Sequence, residues 1–395
     1  MGKSQISSTN FEPKDYCFKQ VFTKMPKDEK PPSGGSDNKR RSGSMNGYSE
    51  FHDKMVASKG VRVAIFTHRC PDPDAMASMM GLSWLLEKAY DTESVLFYAG
   101  EVSHPQNGVM LNLLNPDLHR VEEAYVADDY GLRILVDTIP ENAGTNGKMV
   151  DFDIVIDHHR ELPSNFDGVL IHKKIGACAS IIFDMMKHLV KEQDWLDEDS
   201  DSDQKLATAL ISGIVTDTEF MMSEDSTEFE FGAFSELFRF RNSNFLKKIA
   251  FFKRPKFWID KKAQGCTEAR VSEDGFAIVG LGIIPDKHRD LIADMADEML
   301  NWTSVETAIA FGVVGGDKIE GSVRSLNASL TVSDFCKKLG GKHGSGGGKH
   351  GKGAYCLPLA GMSIDSDEEE EEDILEAWDS IKNRETKRIV RTIKK

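Results

Sequence analysis

The chain has 395 residues, 40% of them apolar, and 49 Lys and Arg against 64 Asp and Glu give a formal net charge of −15. That length allows two domains with real cores plus tails, and no run approaches the roughly 20 apolar residues of a membrane span. The six cysteines (Cys17, Cys70, Cys178, Cys266, Cys336, Cys356) include no CxxC pair, which argues against a disulfide frame or a thiolate zinc site.

In chain order, residues 1–55 are polar and rich in Ser, Gly and Lys, so a mostly disordered tail is expected. The stretch MGKSQISSTNFEPKDYCFKQ lacks the apolar core of a secretory signal, and a cytoplasmic location is expected. From Val61 the texture changes. Short β-branched runs recur as VRVAIFT (61–67), SVLFYA (94–99), LRILVDT (132–138), FDIVIDHH (152–159) and GVLIHK (168–173). Helix-like stretches lie between them, including AMASMMGLSWLLEKA (75–89) and ACASIIFDMMKHLV (177–190). Near-continuous apolar strands alternating with helices predict an α/β unit whose parallel sheet is covered on both faces.

Residues 192–203 carry seven acids and no base, and residues 365–373 carry eight more. With these set aside the remainder is formally neutral, so the acidity reads as a surface loop and a tail run and does not exclude a polyanionic substrate. Helices LATALISGIV and FGAFSELFRF precede a less regular basic and aromatic stretch, NFLKKIAFFKRPKFWIDKK. A second, smaller α/β unit then begins with FAIVGLGI (276–283) and a helix near 286–300. A strand pair around GGD, a helix SDFCKKL, a glycine-rich loop and the strand AYCLPL (354–359) complete it. The expected plan is tail 1–55, first domain 56–245, linker 246–272, second domain 273–362, and an acidic run with a basic helical tail at 363–395, with a cleft between the domains.

Ligands gather at the carboxyl ends of parallel strands, where this chain places its charge. His68, Asp72 and Asp74 follow the first strand, Asp137 follows LV, Asp157, His158 and His159 end the next strand, and Asp217 follows an apolar helix. A lone Asp there is commonly a helix N-cap, a role Asp74 could fill, but caps do not explain three consecutive charged residues closing an apolar strand. Mixed carboxylate and imidazole donors suit Mn²⁺ more readily than Mg²⁺. Their number exceeds the needs of one ion and suits two, which roughly 3.5–4 Å apart clamp a phosphoryl group.

HRCPDPDA, LVDT, DHH and GIVTDT, in this order, resemble the four motifs of the DHH phosphoesterase superfamily, in particular nanoRNases and pAp phosphatases. The resemblance covers roughly residues 60–220 and implies that His68, Asp72 and Asp137 hold one Mn²⁺. Asp74, Asp137, His158 and Asp217 would hold a second, with Mg²⁺ or Co²⁺ as substitutes. It implies that His159 faces the scissile phosphate and that Asp157 orients the histidines. IGACAS (175–180) resembles a family segment where a helix start could position phosphate. Cys70 receives no ligand role.

GSVRS (321–325) and GGKHGSGGGKHGKGAY (340–355) resemble the substrate-binding elements of the DHH-associated second domain. The expected grip is Ser322, Arg324, Gly346, Gly347 and Gly348 with His350, or its rival His343, since glycine N–H groups form anion nests and Arg offers a phosphate fork. The function expected is hydrolysis of short oligonucleotides to nucleoside monophosphates, with a pAp-type phosphatase activity beside it. Cyclic or linear dinucleotide cleavage and a catalytically silent nucleotide-binding regulator are the alternatives. Expected partners are short RNA or DNA, with no membrane. A homodimer and a protein partner at the carboxyl-terminal tail are also carried.

Overall fold

The computed structural model describes residues 38–349, 351–359 and 371–394. Residues 43–395 form one unit, and it holds two six-stranded sheets. The expectation of a disordered tail lies outside the described residues up to position 37. Beyond that it is corrected, because helix α1 (Asn38–Ala57) buries Tyr48, Phe51 and Met55 in the main core.

The first sheet contains β1 (Val63–Phe66), β2 (Ser94–Tyr98), β3 (Leu118–Arg120), β4 (Leu132–Val136), β5 (Ile154–Asp157) and β6 (Val169–His172). Every pairing is parallel, and the spatial order is β3-β2-β1-β4-β5-β6. The chain therefore builds outward from β1 in one direction and from β4 in the other. In such a sheet the neighbouring carboxyl ends where the order reverses, here those of β1 and β4, diverge and open a crevice.

Side chains alternate across the strands. Val63 and Ile65 join the core shared with helices α2 (Pro73–Tyr90), α3 (Pro105–Leu114), α5 (Cys178–Leu189) and α6 (Asp201–Asp217). Ala64 and Phe66 face an aromatic cluster on the other side with Phe97, Tyr125 and Tyr130, next to the single turn α4 (Val121–Ala124). Fully burying a ring such as Phe66 stabilises by about 2–3 kcal/mol. Both faces are covered, as the apolar strands predict, but aromatic side chains rather than long helices cover the second.

The acidic run near 192–203 is not wholly a loop. Ser200 caps α6, and Asp201 and Asp203 lie in its first turn, where acids complement the helix dipole. The basic stretch expected to be irregular is helical. After α7 (Glu228–Leu237) come α8 (Ser243–Ala250) and α9 (Lys256–Glu268), and α9 buries Trp258 completely.

The second sheet runs β11-β12-β10-β9-β8-β7. Its strands are β7 (Arg270–Val271), β8 (Phe276–Ile284), β9 (Thr307–Val314), β10 (Lys318–Ser325), β11 (Ser345–Lys349) and β12 (Lys352–Pro358). Only the β8–β9 pairing is parallel. Helix α9 and α10 (Leu291–Leu300) pack on one face. Helices α11 (Val332–Gly340) and α12 (Glu371–Ile393) pack on the other. The tail helix is thus part of the core: Trp378, Ile381 and Ile389 are buried against it, so its apolar face is already covered.

The predicted glycine loop is an edge hairpin. Gly346, Gly347 and Gly348 of β11 pair with Tyr355, Ala354 and Gly353 of β12. A Cβ on Gly346 would lie 2.1 Å from the Cys336 carbonyl oxygen of α11. The missing side chain at Gly346 lets a helix pack directly on strand backbone, so these glycines belong to a strand and not to an open loop.

Candidate metal centre

Each candidate ligand is delivered by the end of an element. The turn after β1 carries His68, whose Nδ1 lies 2.9 Å from the Arg69 carbonyl oxygen. It then reaches Asp72, the N-cap of α2, whose Oδ1 accepts the N–H groups of Asp74 and Ala75 at 3.0 Å each. The capping role suggested for Asp74 thus belongs to Asp72. Asp74, in the first turn of α2, accepts the N–H groups of Cys178 and Ala179 at 2.7 and 2.9 Å. Those are the first N–H groups of α5, so the helix start in IGACAS serves a carboxylate of the cluster and not a phosphate.

Asp137 follows β4 with a left-handed backbone (φ 59°). That is a strained conformation for a residue other than glycine, of a kind that concentrates at functional sites. Its N–H is held by the Ile156 carbonyl 2.9 Å away. Asp157 ends β5, and His158 and His159 follow it. Asp217 is the last residue of α6, which crosses α2 so closely that a Cβ on Gly213 would lie 3.0 Å from the Asp74 Cα.

These six side chains converge in two groups, His68 with Asp72 and Asp137, and Asp74 with His158 and Asp217. His68 Nε2 lies 3.8 Å from Asp72 Oδ2 and 3.5 Å from Asp137 Oδ2. His158 Nε2 lies 3.3 Å from Asp137 Oδ1, 3.3 Å from Asp217 Oδ2 and 4.0 Å from Asp74 Oδ2. Asp137 therefore turns one oxygen to each group. His159 also approaches Asp137 and His158, but its Nδ1 is 2.8 Å from Asp157 Oδ1.

The donor set fits a divalent cation. His158 Nε2 and Asp137 Oδ1 are buried without a hydrogen-bond partner, a costly arrangement for polar atoms unless something else occupies their lone pairs. His158 Nδ1 is already taken up by the Ile175 carbonyl at 2.9 Å, which leaves Nε2 to face the cluster. Charge tells the same story. Burial, then the charges of Asp137 and Asp217, push the Asp74 carboxyl upward, and burial with Asp72 raises Asp217 to about 6. Burial would lower His158, yet the surrounding aspartates raise it to about 10. Burial likewise opposes ionisation of Asp137, but His158 and His68 hold it far below the usual carboxylate range. Four carboxylates against two imidazoles leave an excess of negative charge that a cation relieves.

Beyond the cluster opens a cleft of about 700 Å³ lined by both halves of the fold. Asp157, His159 and Arg160 form one wall, and Ser322, Arg324, Gly347, Gly348, Lys349 and Lys352 the other. Arg324 donates from Nε to Asp297 Oδ1 at 2.6 Å and from Nη1 to Ser322 Oγ at 2.7 Å. Gly346 lines an adjoining cavity of about 440 Å³ with Arg289, Glu320 and Tyr355. His343 is exposed in the turn after α11 and lines neither space, so the structure does not bring it to the grip. His350 lies outside the described residues.

The DHH family, N-terminal domain, matches residues 62–214. This segment is a DHH domain. The chain is 29% identical over 317 residues to an uncharacterized protein of Methanocaldococcus jannaschii, covering 80% of this chain and 62% of that protein. It is 25% identical over 297 residues to the cyclic-di-AMP phosphodiesterase PdeA of Listeria monocytogenes, 71% of this chain and 43% of PdeA. Over 177 residues it is 26% identical to a probable manganese-dependent inorganic pyrophosphatase of Lactiplantibacillus plantarum, 44% of this chain and 53% of that one. The chain thus spans between about two-fifths and three-fifths of these relatives' lengths. An exopolyphosphatase-related protein from Bacteroides fragilis shares the fold, with a TM-score of 0.60 at 13% identity over 87% of this chain and 98% of its own.

Reading the sequence missed several cleft residues. Arg160 directly follows the DHH triplet and shares its strand-end position, a signal that was there to use. Lys349 and Lys352 were not missed, since cations within the glycine run already point to an anion; both line the cleft, and Lys352 ion-pairs with Glu219, two residues beyond Asp217 at the end of α6. Arg289 reaches Glu320 through Nη2 at 2.9 Å and Cys70 Sγ through Nη1 at 3.5 Å. Nothing local in the sequence marks the Lys352–Glu219 and Arg289–Cys70 contacts, because each joins segments more than 100 residues apart. Among the described residues no helix is long and apolar enough to cross a membrane.

Proposed function

We propose that this chain is a two-metal phosphodiesterase that hydrolyses short oligonucleotides to nucleoside monophosphates, with pAp-type bisphosphonucleotides as a secondary substrate. One observation carries the reading: His159, which adjoins Asp137 and His158 of the donor cluster, lines the same cleft as Ser322, Arg324 and the glycine hairpin. His68, Asp72 and Asp137 are assigned to one ion and Asp74, Asp137, His158 and Asp217 to the other, with Mn²⁺ favoured by the mixed donors. When bound, the two ions supply Lewis-acid neutralisation of the phosphoryl charge and a water activated for in-line attack.

The chain's own groups do the rest. Arg160, Arg324, Lys349 and Lys352 offset the substrate's charge from both walls. Arg324 is pre-aligned by Asp297 and Ser322, so little side-chain entropy is lost when a phosphate joins it. Gly347 has open space where a side chain would stand, which lets a ligand approach the strand backbone. Asp157 fixes the His159 ring by its hydrogen bond at Nδ1, leaving Nε2 to hydrogen-bond the departing oxygen and to deliver a proton there. The adjoining cavity beside Arg289 and Glu320 offers room for the neighbouring nucleoside.

Cleavage of a cyclic or linear dinucleotide is the second reading, favoured by the match to a cyclic-di-AMP phosphodiesterase over 71% of this chain. A silent nucleotide-binding regulator is disfavoured because all six expected donors converge. Product analysis with Mn²⁺ separates these readings, using pApA, a 5-mer RNA, cyclic di-AMP and pyrophosphate, with Asp137→Ala and His158→Ala as blanks. Fast monophosphate release from pApA and the 5-mer is expected. Cleavage of cyclic di-AMP alone would install the second reading, and silence on all four with metal bound would install the regulator.

A further inference from the structure

A second feature of the chain has no part in the cleft. Residues 239–262, RFRNSNFLKKIAFFKRPKFWIDKK, hold nine Lys and Arg against one acid in a chain of net charge −15. The face formed by its first part with α6 and α7 exposes aromatic rings that a stable core would normally take in. Phe251 is 82% exposed, Phe220 65% and Phe231 64%. Phe220, Phe231, Phe238 and Phe251 line a groove of about 570 Å³ between α6, α7 and α8, with Arg241 and Lys247 in its wall. The Arg241 guanidinium stacks on the Phe238 ring, 3.3 Å from its centroid.

The groove leads toward the metal centre. Phe220, Val215, Leu246 and Ala250 also line a smaller space of about 290 Å³ that reaches Thr216 and Glu219, on either side of Asp217. Glu219, Phe220 and Met221 are three consecutive residues with left-handed backbones (φ 50°, 59° and 66°). Bulky residues seldom adopt that conformation, and it persists only where surrounding structure enforces it. Thr218 enforces it here, accepting the Met221 N–H at 3.1 Å, and the outcome is a phenyl ring held out into solvent beside the cluster.

Some of the basic residues already have partners: Arg239 faces Glu198, Arg254 faces Asp294 and Lys256 faces Asp260. Arg241, Lys247, Lys248 and Lys253 have no carboxylate partner among the described residues, and Lys248 and Lys253 are exposed. Rings spaced among unpaired cations suit one ligand chemistry especially well. A single strand of nucleic acid has a backbone that seeks the cations and bases that stack on the rings whatever their identity. We propose that the α6–α7–α8 face is a platform for single-stranded nucleic acid, holding the part of a longer strand that lies outside the cleft.

This inference rests on the oligonucleotide reading only for its choice of polymer, and its test needs no catalysis. Fluorescence anisotropy in EDTA compares a labelled 24-mer single strand with a labelled dinucleotide, for wild type, Lys247→Glu/Lys248→Glu and Phe231→Ala/Phe251→Ala. None of the four side chains is buried, so both variants are expected to fold. The 24-mer should bind at least tenfold more tightly than the dinucleotide, with a log–log salt slope of about −3 for some four phosphates contacted. Each double variant should weaken 24-mer binding about tenfold or more, while dinucleotide hydrolysis in Mn²⁺ stays at the wild-type rate.

Equal affinity for both lengths, or wild-type binding by either variant, would overturn the platform. So would binding to phosphatidylglycerol vesicles with the strand ignored, which would assign the face to an anionic membrane surface. If the 24-mer binds as expected and no oligonucleotide is hydrolysed, the proposed function fails and the platform stands. Dinucleotide hydrolysis without length-dependent binding gives the reverse.

Discussion

Asp137 is the residue on which both donor groups depend. It is almost fully buried, it offers one oxygen toward His68 and the other toward His158, and its backbone is strained. Loss of an outer partner of a metal ligand costs about 10- to 100-fold in affinity, so removing a shared ligand should cost more. Asp137→Ala is expected to lower Mn²⁺ affinity more than about 100-fold by equilibrium dialysis. His159 is the opposite case. It touches the cluster but is tied to Asp157, so His159→Ala should keep its metal and lose about 10²- to 10⁴-fold in turnover. Should metal content fall with the rate, His159 would be a ligand and not a proton donor.

At the scale of elements, the close crossing of α2 and α6 sets the distance between Asp74 and Asp217. Gly213 makes the crossing possible: a methyl there meets the Asp74 Cα at 3.0 Å and the Ala77 Cβ at 3.0 Å. Alanine normally favours a helix by about 1 kcal/mol over glycine, so Gly213→Ala has a gain to set against the clash. The clash is with backbone and should prevail, giving slower hydrolysis and weaker Mn²⁺ binding. Unchanged kinetics with raised stability would show the crossing has slack. The second sheet has its own buried dependency. Glu385 of α12 accepts from the Tyr355 hydroxyl at 2.7 Å and pairs with Arg388, and it is only 2% exposed. Glu385→Ala takes the carboxylate partner from both Arg388 and the buried Tyr355 hydroxyl and should cost about 3 kcal/mol in urea unfolding, with metal binding untouched.

These elements also mark what could be read beforehand. The strand ends were legible because a parallel sheet needs apolar runs on both faces, and charge directly after VRVAIF, RILV and DIVI has no packing purpose. Donor count pointed to two ions, and the grouping into two sets was what the resemblance implied. The hairpin was not legible. Its glycines look like a loop, and their reason is α11 lying on the strand, a contact between segments that no local pattern reports. The helix of the carboxyl-terminal tail was expected, but its packing was not legible, since α12 meets the sheet at Trp378, Ile381 and Ile389 rather than along an unbroken helical spacing. The edge strand β3, three residues long and only half-buried, left no periodicity to find.

Over the whole molecule, the centre ties together β1, α2, β4, β5 and α6, which are scattered over some 150 residues of the chain. A cation bound there joins elements that the unfolded chain keeps apart, so it stabilises the folded state by mass action, about 2.7 kcal/mol at a free concentration 100 times Kd. Thermal unfolding should therefore shift upward on adding Mn²⁺ to EDTA-treated protein. The shift should vanish in the Asp137→Ala variant, and a midpoint indifferent to Mn²⁺ in the wild type would argue that the cluster binds no ion of consequence.

The most direct measurement is to count bound Mn²⁺ per chain while following AMP release from pApA, for wild type and Asp137→Ala. Two ions and steady AMP release are predicted for wild type, with both lost together when the shared carboxylate is removed. AMP release that survives in Asp137→Ala, or a wild type that holds two ions and releases no AMP, would contradict the two-metal phosphodiesterase.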